Sequence, residues 1–267
     1  MALQTHPIGK QQFLLGILLE IGYIPFMSKA QPDPTNFSNR IDLKIPLIGL
    51  YDAPNPADFE PLGIPSPGDC VFAFYNKWAQ GITLHITKDH YGCGGAGRWM
   101  CGIERSSRRD FISFLVDQEG LKASHELMEK WIDSSKPYKS NHPHILIGPL
   151  KDDQWEYIQS ITFFVNPDQL ASLAYGAQYH STPDDPPPMT APFGSGCMQL
   201  LPFEDLTIPQ ASIGTTDIAM RQHIPPDILA FTVTKSMFKQ LCELDERSFL
   251  YKPFLTNLRK ARGLPDL

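Results

Sequence analysis

No two of the five cysteines are spaced as a CxxC pair, and no apolar run approaches the ~20 residues that a membrane-crossing helix requires. The first absence removes the common redox dithiol and the zinc-knuckle half-site; the second leaves no membrane partner to expect. The apolar stretch at residues 13–19 is preceded by Gln11 and Gln12, followed by Glu20, and carries no export cleavage pattern, so the expected location is cytoplasmic. Positive charge is also scarce, with 23 Lys+Arg against 29 Asp+Glu and a net charge of −6. Binding along a phosphate backbone needs a basic surface, and the cluster of Arg105, Arg108 and Arg109 is too small to imply one, so no nucleic-acid partner is expected. Low-complexity tracts and internal repeats are not visible in the residue pattern.

Two catalytic signatures are missing as well. The glycines around residue 94 lack the GK[ST] ending of a Walker loop, and Gly194-Ser195-Gly196 does not match a serine nucleophile elbow. The acidic pairs Asp152-Asp153 and Asp184-Asp185 are adjacent rather than opposed, which suits solvent exposure better than acid–base work. His85, His125, His142, His144 and His180 have no ligand pattern around them and read as structural or surface residues.

What is present is enough apolar material, 42% of residues, to bury a large core, interrupted by 25 prolines that predict short segments between rigid turns. Hydrophobic periodicity predicts helices over residues 8–22, 110–117, 125–132, 169–179, 235–244 and 255–261. It predicts strands over 43–50, 82–86, 155–165, 211–215 and 228–232, the first stopped by Asp52-Ala53-Pro54. Interleaved helices and strands favour an α/β or mixed α+β fold. Because several crossover helices are short or missing, the sheet should be mixed, in a single compact domain over residues 1–267 with a proline-rich internal loop at 181–192.

The densest chemistry lies in His90-Tyr91-Gly92-Cys93-Gly94-Gly95-Ala96-Gly97-Arg98-Trp99-Met100-Cys101-Gly102, two thiols and five glycines that follow a predicted strand. Glycines let a backbone approach a bound group, and a thiol serves as a nucleophile or soft metal ligand. Asp69 is placed to cap a helix with Cys70 in its first turn, where a helix start favours a thiolate, and Phe193-Gly194-Ser195-Gly196-Cys197 supplies a second glycine and cysteine turn. Cys242 sits in an amphipathic helical pattern and reads as a packing residue.

Cys70, the segment His90 to Gly95, Gly196-Cys197 and Ala211-Ser212-Ile213-Gly214-Thr215-Thr216, with Ile224-Pro225 beyond them, together resemble the uncharacterised DUF169 family from about residue 46 to residue 244. In that family a small residue or cysteine commonly precedes the late glycine and an arginine follows it. Here Ile213 and Thr215 flank Gly214. The resemblance implies no particular reaction.

Three readings of the cysteines remain open: buried packing residues beside glycine turns, a metal or iron–sulfur centre, and thiol-based redox or nucleophilic chemistry. The candidate metal ligands are Cys70, Cys93 and Cys197, with Cys101 or His90 as an additional one, holding an iron–sulfur cluster or a transition metal. Gly92, Gly94, Gly95, Gly97 and Arg98 are the candidates for holding a cofactor or phosphate through backbone donors and a guanidinium. The partner is expected to be a small molecule or a redox partner. A noncatalytic protein binding a small or phosphate-containing ligand is the alternative, and no residue is assigned a catalytic role. Convergence of the thiols separates these readings.

Overall fold

A single eight-stranded mixed sheet organises the chain, in the spatial order β2-β3-β4-β1-β5-β8-β7-β6. Its strands are β1 (Ile48–Ala53), β2 (Leu62–Gly63), β3 (Thr83–Ile86), β4 (His144–Pro149), β5 (Ile158–Val165), β6 (Met189–Thr190), β7 (Ala211–Gly214) and β8 (Leu229–Val233). The computed structural model describes residues 32–43, 46–104 and 106–265, all within one compact unit, Gln31–Leu267. The helix expected over residues 8–22 lies outside the described residues.

The helices are α1 (Thr35–Arg40), α2 (Tyr75–Ala79), α3 (Gly94–Cys101), α4 (Arg108–Ser113), α5 (His125–Ser134), α6 (Pro167–Gln178), α7 (Gly196–Gln199), α8 (Lys235–Cys242) and α9 (Pro253–Ala261), joined by short 3-10 and π turns. The expected mixed α/β architecture is the one observed.

Period-two alternation sends neighbouring strand residues into two different cores, which is why the central strands are apolar on both faces. Tyr51, Ala53, Leu146, Ile161, Phe163, Val165 and Phe231 face a core closed by α1, α6, α8 and α9 through Phe37, Leu173, Phe238 and Leu255. Ile48, Leu50, Ile145, Ile147, Phe164 and Ala230 face the other core, closed by residues 71–100, α7 and the 3-10 turn Ile218–His223. The candidate site sits on this second face. A satellite core of Ile112, Leu115, Met128 and Ile132 holds α4 and α5 together.

Strand β1 runs on through Asp52 and Ala53, past the expected stop, because Asp52 is an anchor rather than a terminator. Its carboxylate, 1% exposed, accepts from Tyr138 Oη at 2.7 Å and from the backbone N–H groups of Asn141 (2.7 Å) and His142 (2.9 Å), with His142 Nδ1 at 3.1 Å. A buried carboxylate is tolerated only when its acceptor sites are filled in this way.

The two halves of the sheet share one connectivity. β1 pairs with β4, β4 with β3 and β3 with β2; correspondingly β5 pairs with β8, β8 with β7 and β7 with β6. Both outermost pairs, β2–β3 and β6–β7, are parallel, while β1 and β5 meet antiparallel at the centre. A repeat not visible in the residue pattern is therefore present in the topology. It leaves one trace in sequence: Leu62, Pro65 and Cys70 are spaced from the start of β2 as Met189, Pro192 and Cys197 are from the start of β6. Cys70 and Cys197 occupy equivalent positions of the two halves.

Candidate functional site

Cys93 is the N-cap of α3, with an extended backbone (φ −81°, ψ 166°). The glycine-rich stretch expected as a loop is instead the opening of this helix, since Gly94, Gly95 and Gly97 all lie inside it. Glycine disfavours helix by roughly 1 kcal/mol per residue relative to alanine. Ala96, Trp99 and Met100, all buried on one face, supply the packing that outweighs it. Gly97 lies flat against the Tyr91 ring, which a β-carbon would meet at 2.6 Å.

Cys197 is the second residue of the short α7, whose first N–H, from Gly196, donates to Asp217 Oδ2 at 2.9 Å. Gly196 is required there, because a β-carbon would stand 2.8 Å from the Phe72 ring and 2.9 Å from Met220. α3 and α7 pack together on the second face of the sheet and bring Cys93 Sγ to 3.9 Å from Cys197 Sγ. A disulfide needs the sulfurs about 1.9 Å closer.

The two sulfurs are electrostatically unequal. The hydrogen bond from the Cys197 thiol lowers the Cys93 pKa to about 6 against the opposing effect of burial, and the nearby backbone N–H groups of Ala96 and Gly95 add to the lowering. Cys197 moves the other way, well above the usual thiol range, because it keeps its proton in that hydrogen bond and is fully buried. The opposed shifts make Cys93 the more acidic of the two sulfurs and favour the proton on Cys197. Cys93 is only partly buried and therefore reachable, whereas Cys197 is 3% exposed.

Cys70 approaches this pair without joining it. It is the N-cap of the 3-10 turn Val71–Phe74, while Asp69, expected to cap a helix, turns its carboxylate back to accept from the Ser66 N–H at 2.9 Å. Burial pushes the Cys70 thiol up to about 11, aided by the charge of Cys93, against the thiolate that a helix start would favour at an exposed position. Its turn is held beside Cys93 by Gly92. At φ +73° Gly92 accepts from Gly68 N at 3.0 Å, and a β-carbon would meet the Asp69 carbonyl at 2.5 Å.

The remaining candidates are elsewhere. Cys101 lies at the far end of α3, about 12 Å along the helix axis from Cys93. Its thiol, 3.6 Å from the Thr87 carbonyl, is raised to about 11 by burial. His90 is exposed and lies near His85 of the hydrogen-bonded pair His85 Nε2···His144 Nδ1 at 3.0 Å, whose His85 pKa is lowered chiefly by burial. Cys242 packs beside the first core. Among the described residues no group of three or more His, Cys, Asp or Glu side chains is arranged to hold a metal ion.

The glycine and arginine candidates divide likewise. Gly94, Gly97 and Arg98 line a cavity of about 360 Å³ together with Tyr91, Phe111 and Phe114, whereas Gly92 abuts Asp69 and Gly95 faces Ser195. The Arg98 guanidinium lies over the Trp99 and Phe111 rings, 4.9 and 5.1 Å from their centroids, and pairs with Glu104 at 2.5 Å. Gly94, the chain neighbour of Cys93, lines this recess, whereas Cys93 itself lies against Gly95.

Two features escaped the sequence reading. Asp217, which fixes the start of α7, has no recognisable motif around it. The equivalence of Cys70 and Cys197 is visible only in the Pro and Cys spacing after β2 and β6, a signal with meaning once those strands are known to be matching edges.

Among the described residues no helix is long and apolar enough to cross a membrane. A family model, DUF169, described as uncharacterised ArCR, matches residues 50–244. No curated protein and no solved structure matches the chain.

Proposed function

The chain belongs to the DUF169 family, and we propose that it carries out thiol–disulfide exchange, with Cys93 as the attacking thiolate and Cys197 as the resolving thiol. One observation carries this reading: two sulfurs 3.9 Å apart, of which the accessible one has a pKa of about 6 and the buried one keeps its proton. A thiol near ambient pH in pKa combines a large thiolate fraction with sufficient nucleophilicity. Packing alone does not call for that asymmetry. The reading needs only two convergent sulfurs, whereas the metal or iron–sulfur reading needs a ligand set of three or more.

The reaction follows from the geometry. The Cys93 thiolate attacks a sulfur of a disulfide R–S–S–R′, forming a Cys93–S–S–R bond while the R–S–S–R′ bond breaks and R′S⁻ leaves, taking a proton from water. Cys197 then attacks the Cys93 sulfur of this mixed disulfide. Its proton passes to the departing RS⁻, and the protein is left with a Cys93–Cys197 disulfide. Two protein thiols are oxidised and one disulfide is reduced to two thiols, a two-electron exchange. The recess beside Gly94 is the expected seat of the R group.

Titrating the reduced protein with glutathione redox buffers tests this. We expect two of the five thiols to be lost together in one reversible two-electron transition, with the other three countable throughout. Five thiols that persist across the whole range, or stoichiometric metal or sulfide in protein purified without oxygen, would contradict it.

A further inference from the structure

On the opposite face of the sheet from the thiol pair, a cavity of about 170 Å³ opens between α1, α6 and α9, and we propose that it binds a small oxyanion of phosphate or sulfate size. Its wall carries Arg40, Arg259 and Arg262 against two carboxylates, Asp42 and Asp168, with Asn166, Gln169 and Ser172 adding polar groups.

Arg259 is the centre of the argument. It is 6% exposed, and its Nη1 and Nη2 donate to backbone carbonyls, of Arg40 at 2.9 Å and Pro265 at 3.0 Å, while its buried Nε–H has no acceptor. Among the described residues this guanidinium, which cannot lose its charge, has no ion-pair partner, and its Nε–H is unsatisfied. Native interiors rarely leave a buried charge uncompensated, and an oxyanion in the cavity would supply the counter-charge.

The neighbouring charges are arranged to admit it. Asp168 is occupied by Arg262, at 2.6 and 3.3 Å, which holds its carboxyl below the usual range. Arg40 lies over the Tyr251 ring at 3.4 Å from the centroid. Three arginines and two carboxylates line the cavity, an excess of one positive charge around a space with room for roughly five or six waters. A phosphate or sulfate group fits that volume, whereas a nucleotide does not.

Calorimetric titration of the intact protein with inorganic phosphate, sulfate, acetate and chloride at constant ionic strength tests the proposal. A single saturable site that prefers phosphate or sulfate over acetate and chloride is expected. Arg259→Gln should weaken it by about tenfold or more. Arg262→Gln, at a residue whose side chain is 59% exposed and whose loss should leave the fold intact, should weaken it comparably by freeing Asp168 to repel the anion. Absence of saturable binding in the wild-type protein, or wild-type affinity in Arg262→Gln, would overturn it.

Discussion

Alkylation by iodoacetamide should show one fast thiol whose rate is half-maximal near pH 6 and flat above about pH 7, and Cys93→Ser should abolish that phase. The size of the effect follows from competing trends. Cys70 and Cys101 are raised to about 11 and Cys242 to about 12, so at pH 7 each is ionised at roughly one part in ten thousand or less. Cys93 is ionised at roughly nine parts in ten. Nucleophilicity falls with pKa at a Brønsted slope of about 0.4–0.5, which returns some of the advantage to the weaker acids and leaves Cys93 faster by roughly 1.5 to 2.5 orders of magnitude. Cys197→Ala removes the largest source of the lowering, the hydrogen bond from the neighbouring thiol, while burial still opposes ionisation. The midpoint should therefore move upward, and the rate at pH 7 should fall. A midpoint that stays near pH 6 in Cys197→Ala would assign the lowering to the start of α3 instead.

Asp52→Asn should be a damaging conservative change, with a loss of about 2–3 kcal/mol by urea unfolding. The carboxylate, 1% exposed, accepts from a phenol and two backbone N–H groups and lies 3.1 Å from His142 Nδ1. An amide keeps the shape but turns one acceptor into a donor, which would face donors already in place. The damage should reach the thiols. Tyr138, whose hydroxyl donates to Asp52, also donates its backbone N–H to the Trp99 carbonyl of α3 at 2.8 Å, tying that helix to β1. A loss below about 1 kcal/mol, with unchanged Cys93 alkylation, would show that neither the anchor nor the tie matters.

The layered mixed fold was legible because its signals are local. Alternation over residues 211–215 and 228–232 and the apolar spacing of residues 235–244 gave β7, β8 and α8 to within two residues. The opening of α3 was not, because glycine content argues against helix there, and the packing of Ala96, Trp99 and Met100 that reverses the preference is a tertiary fact. At the site, Cys93 and Cys197 were legible as candidates from their glycine settings, but their convergence depends on two remote helices meeting over one face of the sheet, which spacing cannot show. His90 stands three residues before Cys93, with the left-handed Gly92 turning the chain between them, and its ring is exposed.

The most direct test of the exchange mechanism is to treat reduced Cys197→Ala with oxidised glutathione and locate the product by peptide mass spectrometry. Without a resolving sulfur, the mixed disulfide should accumulate on Cys93, whereas the wild-type protein should pass through it to a Cys93–Cys197 linkage. Glutathione spread over Cys70, Cys101 and Cys242 with Cys93 left free, or a wild-type disulfide joining any other two cysteines, would contradict the account.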